Sequence, residues 1–181
     1  MILITGAAGK TGKSIIKALL ARGAPVRAFV RSPAHAATLK ALGLREIATG
    51  EMDDPGALSQ ATPGVEAIYH ICPNVSPREV SFAKGMLDAA TNSAVSRIIY
   101  HSVLHPKIEA MPHHWNKLRV EEMLLGSPLD VTVLQPAAYM QNILAEWDRM
   151  VSSGIYRVPY PVETKLVLST SMIWPKPRQW C

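Results

Sequence analysis

Ile2-Leu3-Ile4-Thr5-Gly6-Ala7-Ala8-Gly9-Lys10-Thr11-Gly12 opens the chain. Ile2 to Thr5 is a short buried-strand pattern that ends at a glycine. From Thr11 to Arg22 the apolar residues Ile15, Ile16, Leu19 and Leu20 fall at helical spacing, and Gly23 is placed to close the helix. A strand, a glycine turn and a helix therefore follow one another within the first two dozen residues.

Gly6, Gly9 and Gly12 stand three apart. In that context one glycine makes a tight turn, one lets the backbone approach a pyrophosphate, and one lets the helix pack closely on the strand. The helix N-terminus offers free N–H groups and partial positive charge to phosphate. The turn from Gly6 through Ala8, Lys10 and Thr11 to Gly12 is thus a candidate site for NAD(P). The alternative is an ordinary strand-to-helix turn. A nucleoside-triphosphate loop fits less well. Gly9-Lys10-Thr11 and Gly12-Lys13-Ser14 both imitate its end, but the glycine needed five residues earlier is replaced by Ile4 in one register and Ala7 in the other.

The pattern continues outward from the turn. Strands are predicted at Val26 to Val30, Glu46 to Thr49, Ala67 to Ile71, Arg97 to Tyr100 and Val131 to Leu134. Between them come helices over Ala34 to Leu42 (with Pro33 in its first turn), after the Asp54 cap, from a Ser76-Pro77 cap to about Ala94, and over His114 to Leu125. Alternating strands and helices imply right-handed crossovers and an α/β fold, a doubly wound parallel sheet with helices on both faces. The dinucleotide-binding Rossmann arrangement is the expectation.

The end of the second strand bears on cofactor choice. An acidic residue there would bind the ribose 2′-OH of NAD. This chain has Arg31, followed by Ser32. A guanidinium suits a 2′-phosphate, so NADP(H) is preferred, with NAD(H) as the alternative. Otherwise Arg31 is simply a surface arginine.

Bulk properties set limits. With 181 residues, 48% of them hydrophobic and 18% charged, the chain has material for a sizeable core and is not of disordered composition. No apolar run approaches the roughly 18 residues of a membrane span. The N-terminus lacks the basic start of a signal peptide, so a cytoplasmic location is expected. The net charge of +5 is scattered, with no block of five like charges, which does not describe a nucleic-acid binder. Cys72 and Cys181 form no metal-ligand spacing. His101 and His105 are four apart in a strand-loop stretch, so no metal site is expected. The expected partner is a small-molecule substrate or none, and an exposed apolar surface near residues 135 to 170 would favour a homodimer.

Thr5-Gly6-Ala7-Ala8-Gly9-Lys10-Thr11-Gly12 resembles the fingerprint of atypical short-chain dehydrogenases/reductases, and more narrowly the NmrA-like group. Val30-Arg31-Ser32, Gly50-Glu51-Met52-Asp53-Asp54, Ile71-Cys72-Pro73-Asn74, Tyr100-His101-Ser102-Val103 and Leu134 to Asn142 also match, and the likeness runs from Met1 to about Leu166. The group includes NAD(P)H-dependent quinone and triphenylmethane-dye reductases, together with non-catalytic nucleotide-sensing regulators. The resemblance implies that Gly6, Gly9, Thr11 and Gly12 hold the pyrophosphate and that Arg31 meets the 2′-phosphate. It sets Met52 and Asp53 near the adenine, and Cys72 and Pro73 along the nicotinamide ribose. It matches Lys117 to the lysine that hydrogen-bonds that ribose, and has Pro136 and Ala137 flank the nicotinamide.

One position departs from the wider superfamily. Its Tyr-x-x-x-Lys pair would put tyrosine four residues before Lys117, where this chain has His113. A histidine with a near-neutral pKa can donate a proton. Equally, His113 is a loop residue with no catalytic part.

The end of the sequence does not continue the pattern. Residues 1–166 are read as the nucleotide-binding domain and 167–181 as an atypical tail, so the substrate-binding part is expected to be largely missing. Trp174-Pro175-Lys176-Pro177-Arg178-Gln179-Trp180-Cys181 has no periodicity. Back-translated with GC-rich codons and read two nucleotides later, Leu168 to Cys181 becomes Val-Asp-Leu-Asp-Asp-Leu-Ala-Glu-Ala-Ala-Ala-Val-Val, a capped amphipathic helix start. A frameshifted end is the expectation this raises.

Overall fold

The computed structural model describes residues 1–73, 75–158, 160, 161 and 163–170. The proposed frameshifted tail lies, from residue 171 onward, outside the described residues. The chain forms two compact units, the first Met1–Gln135 and the second beginning at Pro136.

The first unit alternates as the sequence suggests. Its strands are β1 (Ile2–Ile4), β2 (Val26–Val30), β3 (Glu46–Thr49), β4 (Ala67–His70), β5 (Arg97–His101) and β6 (Asp130–Leu134). Its helices are α1 (Lys10–Leu20), α2 (Pro33–Lys40), α3 (Pro55–Ala61), α4 (Glu79–Thr91) and α5 (Pro112–Leu125). All six strands are parallel, in the order β3-β2-β1-β4-β5-β6. The order reverses between β1 and β4. In sheets of this kind a crevice opens there, beyond the carboxyl ends of the strands. The doubly wound Rossmann-like fold is therefore present.

Two apolar clusters hold the sheet. Ile4, Ala28 and Val30 pack with Ile16 of α1 and Leu39 of α2 in the smaller one. Leu3, Phe29, Ile68, Ile98 and Tyr100 belong to the larger, with Leu58 of α3, Phe82 and Met86 of α4, and Val120 and Leu124 of α5. Alternate residues of one strand, such as Leu3 and Ile4, serve opposite clusters because successive strand side chains point to opposite faces.

Several boundaries differ from the sequence reading, each for a local reason. β4 stops at His70 because the next residue bonds to a side chain. Ile71 N donates to Thr5 Oγ1 at 2.8 Å, and Thr5 Oγ1 donates to Ile71 O at 3.1 Å. α4 starts at Glu79, after a Ser-Pro turn in which Ser76 Oγ accepts from Arg78 N at 3.2 Å. It ends at Thr91, where Asn92 and Ser93 bond back to Asp88 and Ala90. α5 begins two residues early because Pro112 occupies its first turn, a position that needs no N–H. The Asp54 cap is as read, its Oδ1 accepting from Gly56 N at 2.9 Å and Ala57 N at 3.2 Å.

The second unit carries two short strands that its sequence did not announce. β7 (Ala138–Tyr139) pairs in parallel with β8 (Leu168–Ser169), and between them lie a 3-10 helix (Met140–Ala145) and α6 (Trp147–Ser153). Many of its large apolar side chains are exposed, among them Leu144, Trp147, Val151 and Val167. Among the described residues no helix is long and apolar enough to cross a membrane.

Candidate functional site

The glycine turn sits at the carboxyl end of β1, beside β4. Gly6 has φ +57°, and a Cβ there would lie 2.8 Å from Ile71 O. Gly12 is buried against the turn that precedes it, and its imagined Cβ would stand 2.5 Å from Gly6 O and 2.7 Å from Ala7 Cα. No side chain fits either place, so the backbone itself forms the floor of the turn. Gly9 is exposed and caps α1 with no side-chain hydrogen bond, and the first turn holds no acidic residue. The positive end of α1 is thus left without a carboxylate to neutralise it, which suits an anion. Lys10 is exposed, while Ala8 and Thr11 are partly covered.

Beneath the turn, Thr5 is fully buried and lies 3.0 Å from Nδ1 of His70. Burial, followed by the charge of Lys117, pulls the His70 pKa down to about 3. His70 is therefore neutral at ordinary pH, and its Nε2 has no hydrogen-bond partner among the described residues.

Arg31, at the end of β2, is exposed, and no hydrogen bond or ion pair ties it to any described residue. Met52 is taken up by the larger core. Asp53 is exposed and meets Arg78 Nη1 at 2.5 Å. The Arg78 guanidinium also covers the Phe82 ring at 4.7 Å.

A charged cluster lies along the ends of β4 and β5. Lys117 of α5 donates to Glu79 Oε1 at 2.5 Å and to His101 O at 3.2 Å. Tyr100 Oη donates to the same Oε1 at 2.7 Å. Glu79 is 1% exposed. Cys72 is buried near this cluster. Burial first, then the Glu79 carboxylate, pushes its thiol up to about 12, so it is an inert thiol rather than a nucleophile. Pro73 beside it is exposed. Tyr100 is held well above the ordinary phenol range, by burial first and then by Glu79, so it stays protonated.

His113 lies one helical turn before Lys117, edge-on to His114 at 4.5 Å between ring centroids. Burial, then the neighbouring His114 and Lys117, lowers its pKa. That shift leaves less imidazolium at neutral pH and works against His113 as a proton donor. Burial also lowers His101 to about 4, and its Nδ1 is 3.0 Å from Tyr69 Oη. Pro136 and Ala137 belong to the second unit, where Ala137 N donates to Ser169 Oγ at 3.2 Å.

Sequence reasoning passed over Glu79, Tyr100 and a second buried carboxylate, Glu121, which bonds to Ser102 Oγ and accepts from Gln135 Nε2. A signal was present for Glu79. It shares the α4 face of Phe82, Ala83, Met86 and Ala90, all buried. A carboxylate on the apolar stripe of a helix is costly unless paired.

A model of the NmrA-like family matches residues 1–172. The chain belongs to this family. Among NmrA-like relatives, quinone oxidoreductase 2 of Escherichia coli is 29% identical over 86% of this chain. The NAD(P)H azoreductase of Xenophilus azovorans is 29% identical over 88% of it. The chain spans about half the length of these curated relatives, 55% in each case. A crystal structure of the NADPH-dependent quinone oxidoreductase from Escherichia coli, complexed with NADPH, superposes with a TM-score of 0.76 at 30% identity. It covers 86% of this NmrA-like chain and 56% of that one.

Proposed function

We propose that this chain binds NADP(H) across the carboxyl ends of its parallel strands and acts as an NADPH-dependent reductase of quinone-like or other conjugated acceptors. The observation that carries the reading is the glycine turn: Gly6 and Gly12 leave no room for a side chain, and the uncapped N-terminus of α1 follows the carboxyl end of β1, where the strand order reverses between β1 and β4. A pyrophosphate would take the helix N-terminus, the Arg31 guanidinium a 2′-phosphate, and Lys117 a ribose hydroxyl. When bound, the nicotinamide supplies the reducing equivalent. The protein's own share is then binding, orientation and exclusion of water. That division agrees with the residues present. Tyr100 keeps its proton and donates a hydrogen bond to Glu79, Cys72 stays a thiol, and burial disfavours the charged form of His113, so little acid–base chemistry is on offer. The names of the relatives, a quinone oxidoreductase and an azoreductase, also point to conjugated acceptors.

Calorimetric titration with NADPH and NADH tests the binding. The wild type should bind NADPH at least tenfold more tightly than NADH, a difference of about 1.4 kcal/mol. Gly9→Asp should abolish binding of both, and Arg31→Ala should erase the preference. A folded protein that binds neither nucleotide ends the proposal. A quinone panel then separates a reductase from a nucleotide sensor, the reading that the missing tyrosine at position 113 favours: binding without turnover would select the sensor.

A further inference from the structure

Glu79 combines three features that need a common explanation. It is a carboxylate with 1% exposure, it is the first residue of α4, and a single one of its oxygens receives both Tyr100 Oη and Lys117 Nζ. A buried carboxylate is expensive unless paired and hydrogen-bonded. Here Oε1 is paired with the ammonium and hydrogen-bonded by the phenol, and the positive end of α4 adds to it. Lys117 is correspondingly constrained. An ammonium has three donors. One goes to Glu79, a second to the carbonyl of His101, and none of the described residues takes the third. The Tyr100 ring, 5.2 Å from Nζ, adds a further attraction for the cation. Lys117 reaches this place from α5, Glu79 from α4 and His101 from the end of β5, so three separate elements converge on one nitrogen.

We infer that Glu79 is a positioning residue for nucleotide binding: it holds the Lys117 Nζ in place, with one N–H left for a ribose hydroxyl. The inference rests on the NADP(H) reading above and goes beyond it by assigning the role to a residue of α4 that does not itself touch nucleotide. Glu79→Gln preserves the shape and an acceptor for Tyr100 Oη but removes the charge that holds the ammonium.

Two measurements test it, one of them without nucleotide. In the first, the protein alone is treated with acetic anhydride, and labelling at Lys117 is read by mass spectrometry against exposed Lys84. Glu79→Gln releases a half-buried side chain from its ion-pair partner, so it should speed labelling of Lys117 at least fivefold relative to Lys84. Unchanged labelling overturns the inference. In the second, NADPH is titrated into the wild type, Glu79→Gln, Lys117→Met and the double variant. Glu79→Gln should weaken binding about tenfold, and the double variant should bind no more weakly than Lys117→Met alone. A purely structural Glu79 would instead weaken binding to the same extent in both backgrounds, and that additivity also overturns the inference. If Glu79→Gln does not fold, Glu79→Asp serves both measurements, since it keeps the charge but withdraws it from Lys117. A wild type that binds no NADPH removes the nucleotide reading and the ribose role with it. Wild-type binding that Glu79→Gln leaves intact removes this inference alone.

Discussion

At the end of β1 the chain builds with backbone, whereas at the ends of β4 and β5 it builds with side chains. The glycine turn is shaped by residues that have nothing to project. Its tolerance is set by distances such as the 2.5 Å from an imagined Gly12 Cβ to Gly6 O. The Glu79 cluster is shaped by long polar groups brought together from residues 79, 100 and 117, and its tolerance is set by the pairing of charge. The two therefore fail differently. Steric crowding distorts the first over a few residues, while loss of one partner leaves an uncompensated charge in the second.

That contrast can be broken most directly at Glu79. Glu79→Ala leaves the Lys117 ammonium and the Tyr100 hydroxyl facing an apolar gap. Breaking a buried pair in this way costs about 3–5 kcal/mol, which denaturant unfolding would read as a large drop in midpoint. A loss below about 1 kcal/mol would show that the cluster contributes little to the fold. Gly12→Ala should cost less, roughly 1–3 kcal/mol of overpacking, yet it should abolish NADPH binding. The comparison is sharpened if Gly12→Ala separates binding from stability in this manner, and broken if both fall together as they do for Glu79→Ala.

Acid gives the smallest effect per group. His70 and His101 have folded pKa values of about 3 and about 4, below the ordinary 6.5 of an imidazole, because burial disfavours their charged forms. The unfolded chain therefore binds protons before the folded one does. Stability is fully present above pH 6.5 and falls as the pH drops toward 4 and then 3. Each histidine should remove roughly 1.5 kcal/mol between pH 6.5 and pH 5. Thermal unfolding across that range checks it, and His101→Asn should flatten the slope. A melting temperature constant from pH 7 to pH 5 would contradict the neutral, buried state of both rings.

What could be read in advance follows from the range of the interactions. Val26–Val30 and Glu46–Thr49 have the boundaries the pattern indicates, because short apolar runs and the turn residues that bound them act within a few positions. The Asp54 cap was legible for the same reason. β4 ended one residue early because Thr5, 66 positions away, took the hydrogen bonds of Ile71. β7 and β8 escaped notice because each has two residues, too few for a period to appear.

The sequence by itself determined the alternation of elements, the glycine turn and the place of Arg31 just after β2, since each depends on local backbone preference and on apolar spacing. Only the tertiary structure decided that Glu79, Tyr100 and Lys117 share one oxygen, that Cys72 is inert, and that the His113 environment disfavours its charge. Those outcomes depend on burial and, for the first two, on charges from distant parts of the chain. Both arise only when the strands lie side by side.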